Sequence, residues 1–198
     1  MKKKLLSIAL ATIVAVMAIS GASLAWLQDT TDPVTNTFTK GLVDIDLFEH
    51  VYQPESNTLG DGKVMENANY KMIPGKELPK DPTVVVKANS EACYVFIKVE
   101  EINDVETFLS YSIDDSVWTK LTGYEGVYYV EVNTLTTQDT EYNVLTNKKV
   151  TVNEEVEMSD MDTLDGTNNP QLKFTAYAIQ KLGFDKAADA WAEFVANP

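Results

Sequence analysis

Apolar and polar residues alternate with a period of two along most of this chain, a pattern that builds strands and leaves little room for helices. In "GLVDIDLFE" (41–49), Val43, Ile45 and Leu47 fall on one face and Asp44 and Asp46 on the other. "DPTVVVKAN" (81–89) and "CYVFIKVEEI" (93–102) continue the pattern, and further strands are expected over 107–113, 117–121, 127–132, 142–145, 148–152 and 171–180. "TGYEG" (122–126) between two of these runs reads as a hairpin turn. Many short strands joined by polar turns predict an all-β chain folded as an antiparallel, jelly-roll-like β-sandwich. An immunoglobulin-like strand order fits the periodicity equally well.

Two polar stretches read as loops at the ends of the sandwich, 52–75 with "GDG" (60–62) as a tight turn, and the acidic 154–170. The exception to the β pattern is "FDKAADAWAEFVANP" (184–198). It predicts a short C-terminal amphipathic helix with Asp185 as N-cap, and Ala187, Trp191, Phe194 and Val195 as a stripe packed on the sheet.

The first residues have a different character. Lys2, Lys3 and Lys4 precede an apolar run over 5–19, and Ser23 and Ala25 supply small residues at the −3 and −1 positions of a signal-peptidase site. Residues 1–25 are thus expected to be a signal peptide cleaved before Trp26. That leaves an extended segment over 26–40 and a single domain over 41–198. An uncleaved anchor over 5–27 is the competing expectation; otherwise membrane contact is confined to the signal peptide before cleavage, and the mature chain is secreted, to the extracellular matrix or cell surface.

The formal charge is −14. Removing residues 1–25 takes away three lysines and no acid, so −14 − 3 = −17. All 16 basic residues are lysine, and without clustered arginine or lysine the chain is a poor partner for nucleic acid. Cys93 is the single cysteine, which excludes an internal disulfide; within "ACYVFIKVE" it reads as a small core residue.

Catalytic chemistry finds few residues to work with. His50 is the only histidine, so neither an H-E-x-x-H zinc site nor an evident Ser–His–Asp arrangement can be assembled. "DMDTLDG" (160–166) gathers three carboxylates but departs from an EF-hand loop at Leu164, Asp165 and Gln171. The expectation is a chain without catalytic residues, cofactor or metal.

The junction "AWLQDTTDPVTNTFTKGLVDIDLFE" (25–49) combines an aromatic after the small-residue site, Asp29, the element 35–41 (T-N-T-F-T-K-G) and the strand 43–47. It resembles the junction of proteins exported through the SipW-type signal peptidase. "MIPGKELPKDPTVVVKANSEACYVFIKVEE" (72–101) and "LKFTAYAIQKLGFDKAADAWAEF" (172–194) are similar to later segments of the same group. That group includes TasA and camelysin (CalY), and the likeness is strongest to its BsaA-type biofilm matrix proteins. The resemblance implies a jelly-roll-like sandwich, secretion with the SipW-type peptidase as export partner, and self-polymerisation into extracellular fibres by donor-strand exchange. It also implies, through camelysin, a metallopeptidase class for which this chain lacks histidine ligands.

In that light the segment 26–40 is a donor strand. Val34, Asn36 and Phe38 would point one way and Thr35, Thr37 and Thr39 the other, with Phe38 as anchor and Pro33 limiting the ladder. The alternative is that it folds back as the first edge strand of its own domain. A cell-surface binding module or adhesin is the competing function, resting on Trp118, Tyr124, Tyr128 and Tyr129 around one hairpin.

Overall fold

The computed structural model describes residues 41–67 and 70–196, all within the unit Lys40–Pro198. Among the described residues, eleven strands form three antiparallel sheets. The first has the order β2 (Thr58–Val64), β1 (Ile45–Gln53), β4 (Thr83–Val86), β9 (Thr140–Asn143). The second has β3 (Glu77–Pro79), β10 (Lys149–Val152), β6 (Leu109–Ser110). The third has β11 (Gln171–Gln180), β5 (Cys93–Ile102), β8 (Val127–Val132), β7 (Thr119–Lys120). The chain crosses between the two four-stranded sheets after β4 and returns after β8, so the fold is an all-β sandwich with a short C-terminal helix, α3 (Ala187–Ala196).

The central layer explains the long apolar run at 93–97. Cys93, Val95 and Ile97 point into the sandwich, where they meet Val84, Val86, Val132, Val144 and Trp118. Tyr94 and Phe96 point the other way, under Ala187, Ala190 and Trp191 of α3. A strand covered on both faces has no polar side to alternate with. β11 lies along the whole of β5, from Gln171 opposite Ile102 to Gln180 opposite Cys93. Val43, Ile45 and Leu47 pack against the inner core while Asp44 and Asp46 are exposed, as the alternation predicts.

Gly126 closes the turn into β8 with φ +67°, and a Cβ there would lie 2.4 Å from the carbonyl oxygen of Val99. The backbone N–H of Val99 donates to the carbonyl of Gly126 at 2.8 Å. Only glycine permits both the approach and the dihedral.

Several expectations are corrected. The strand expected over 107–113 begins as a helical turn, α1 (Val105–Phe108), because Asn103 and Asp104 take positive φ (61° and 50°) and break the extended run. Only Leu109–Ser110 and an isolated bridge from Ile113 to Leu145 remain extended. The loop expected over 52–75 contains β2, and "GDG" lies inside that strand; the turn is at 54–57, where Asn57 has φ 55°. The strand expected over 117–121 shrinks to Thr119–Lys120, and that over 142–145 moves to Thr140–Asn143. The acidic loop carries one helical turn, α2 (Met158–Met161), closed by reciprocal bonds between Glu157 and Asp160. In α3 the carbonyl of Lys186, not Asp185, accepts the first helical bond, from Ala190, and Val195 is exposed rather than packed. Among the described residues no helix is long and apolar enough to cross a membrane.

Candidate functional site

Two sheets end side by side without a described strand between them. β6 is an outer strand of the second sheet and β7 an outer strand of the third, and a groove of about 630 Å³ runs between them. One wall is 109–113, which pairs on its far side with β10 and, at Ile113, with Leu145. Trp118, Lys120 and Tyr128 form the other wall. The floor is apolar because Trp118 is 2% exposed and belongs to the inner core that Ile113 and Tyr128 pack against.

The rim is acidic. Glu101, Glu106 and Asp115 surround the groove against Lys120 alone among its lining residues. Tyr111 donates its hydroxyl to Glu101 Oε1 at 2.6 Å; burial first, and that bond second, hold the phenol protonated well above its ordinary range. An arrangement of two sheet edges, an apolar floor and a polar rim suits one extended peptide, which could satisfy edge N–H and C=O groups and bury alternate side chains.

The residues expected to supply that peptide, Val34, Asn36 and Phe38, lie outside the described residues, as do Ser23, Ala25 and Trp26 at the expected cleavage site. The aromatics expected to form a binding surface do not gather on one face. Trp118 and Tyr128 turn into the inner core, whereas Tyr124 and Tyr129 pack on the opposite face against the cluster beneath α3, Tyr124 edge-on to Trp191 and Tyr129 beside Tyr94 and Phe96.

A second constellation was not anticipated. His50 Nδ1 lies 2.6 Å from Asp81 Oδ2, and the backbone N–H of His50 donates to Asp81 Oδ1 at 3.0 Å. Beside them, Lys80 Nζ donates to Glu49 Oε1 at 2.8 Å, and Asn67 Nδ2 donates to Glu49 Oε2 at 3.1 Å and to the carbonyl of His50 at 2.8 Å. Asp81 is 2% exposed and Glu49 8%. Tyr70 stacks on Tyr52 at 4.2 Å, and its hydroxyl is buried without a hydrogen-bond partner among the described residues. Burial, reinforced by the charges of Glu49 and Asp81, keeps it protonated. The bonds made by His50 run to Asp81 and Asn67, and no described hydroxyl or thiol bonds to its ring.

Cys93 is fully buried, and burial pushes its thiol up to about 11. In the acidic loop Asp165 Oδ1 accepts bonds from the N–H and hydroxyl of Thr167 and the N–H of Asn168, which lower its pKa. Among the described residues no set of three His, Cys, Asp or Glu side chains converges as metal ligands would. No protein-family model, curated protein or solved structure matches this chain.

Proposed function

We propose that this chain is a secreted structural subunit that polymerises into extracellular biofilm matrix fibres, with residues 26–40 of one copy entering the β6–β7 groove of the next. The groove carries this reading: it lies between two outer strands, over the packed rings of Trp118 and Tyr128. Within the expected donor, the stretch 33–39 carries no charge to oppose the acidic rim, Asp29 and Asp32 preceding it, and Phe38 offers one large apolar side chain for the groove. The resemblance of the 25–49 junction to SipW-exported matrix proteins supports the same reading. It also supplies the export route, with signal-peptide removal before Trp26 freeing the donor. In this account the chain needs no active site, cofactor or metal, and its principal partner is another copy of itself.

Electron microscopy of the chain beginning at Trp26, set beside the chain beginning at Gly41, tests the proposal. Regular filaments are expected from the first and monomers from the second. Filaments from the Gly41 chain would refute donor-strand assembly, and a Trp26 chain that stays monomeric under all salt conditions would refute the fibre role.

A further inference from the structure

Glu49 bridges an amine and a carboxamide inside an aromatic enclosure. Its two carboxylate oxygens meet Lys80 Nζ at 2.8 Å and Asn67 Nδ2 at 3.1 Å. The Lys80 and Glu49 side chains are only 12% and 11% exposed. Lys80 Nζ sits over the rings of Tyr70 and Phe174 at 5.5 and 5.6 Å. Asn67 is fixed in orientation: its Oδ1 accepts from the backbone N–H of Tyr52 at 2.9 Å while its Nδ2 faces Glu49 and the carbonyl of His50. An exposed ion pair requires none of this, whereas an acyl transfer requires each part: a nucleophile beside a base, a polarised carbonyl, a leaving group beside an acid, and little water.

We infer that Lys80 and Asn67 join in an intramolecular isopeptide bond, with Glu49 carrying the protons. The Lys80 ammonium gives a proton to Glu49 Oε1, and the freed lone pair on Nζ attacks Cγ of Asn67. The carbonyl π pair moves onto Oδ1, where the N–H of Tyr52 stabilises the developing charge. Glu49 delivers its proton to Nδ2, the Cγ–Nδ2 bond breaks as the carbonyl re-forms, and the second proton of Nζ passes through the same carboxylate to the departing ammonia. One ammonium and one secondary amide replace a lysine ammonium and a primary amide, Glu49 ends as it began, and no oxidant, reductant or co-substrate is consumed.

The bond has a structural consequence. Asn67 follows β2 of the first sheet and Lys80 follows β3 of the second, while Glu49 lies in β1 opposite Val64. The cross-link would tie the first and second sheets through a covalent loop that a reducing agent cannot open, unlike a disulfide.

The test is mass spectrometry of the folded full chain. Trypsin should yield residues 64–71 and 77–87 as one branched peptide, lighter than the sum of its parts by one ammonia, with no cleavage after Lys80. K80R should release both regions as linear peptides and restore the ammonia to the intact mass; E49Q that is folded by circular dichroism should stay unlinked. Linear peptides 64–71 and 77–80 from folded wild-type protein after prolonged incubation would overturn the inference. So would an ammonia loss that persists in K80R, which would mark a succinimide at an asparagine, and so would a folded E49Q that cross-links as fully as wild type.

Discussion

The indole N–H of Trp118 donates to the carbonyl oxygen of Asn143 over 2.8 Å, so a residue bordering β7 of one sheet is bonded to β9 of the sheet facing it. The same ring closes the core beneath the groove and meets Tyr142 edge-on at 6.3 Å between centroids. Trp118→Ala removes a buried aromatic, leaves a cavity between the sheets and deletes that bond, and should cost about 3–5 kcal/mol. Urea unfolding followed by circular dichroism checks it. A loss under about 1 kcal/mol would mean that Trp118 does not span the core.

The sequence made this core readable where burial and period agree. Cys93–Ile102 and Gln171–Gln180 match their expected bounds because each runs ten residues without a glycine or proline and carries β-branched and aromatic residues that favour an extended backbone. β2 was hidden because "GDG" is turn chemistry, and only its pairing with β1 holds those residues extended. α1 was hidden because its apolar residues, Val105 and Phe108, suit a strand as well as one helical turn, and the positive φ of Asn103 and Asp104 decides between them. Neither the groove nor the Glu49–Lys80–Asn67 contact is legible locally. Each gathers residues from separate strands and loops, so tertiary arrangement alone brings them together.

Burial of Cys93 sets a prediction in alkali. Burial holds its thiol at about 11 in the fold, above the ordinary thiol value of 9.0, so the unfolded chain releases a proton first and stability falls as pH rises from about 9 toward 11. Cys93→Ala should lose part of that slope. At neutral pH a thiol reagent should label the protein only as fast as it unfolds, and rapid labelling of the native protein would place the thiol outside the core.

On the proposed fibre reading, charge should set the rate of assembly. A chain beginning at Trp26 would carry a formal charge of −14 − 3 = −17, so its copies should repel one another and light scattering should show faster growth as salt rises. Acid acts in two opposed ways. It discharges the surface, but Glu100, Asp139 and Asp165 have pKa values lowered by hydrogen bonds, to Lys173 and Lys98, to the Ala88 N–H and to Thr167 respectively. A lowered folded pKa gives stability that is complete above the ordinary carboxylate range and is lost as pH falls through it. The melting temperature should therefore drop below pH about 4 even as repulsion fades. Growth that slowed with added salt at neutral pH would contradict the charge argument.

Hydrogen exchange of the chain beginning at Gly41, with and without a synthetic peptide of residues 26–40, reports directly on where the donor sits. Protection is expected at 109–113 and 119–120, the two edges of the groove, with the β2 and β9 edges unchanged. A Phe38→Asp peptide should bind at least about 100-fold more weakly, because an unpaired carboxylate on the apolar floor costs about 3 kcal/mol or more. Protection confined to another sheet edge, or none at saturating peptide, would contradict strand entry between β6 and β7.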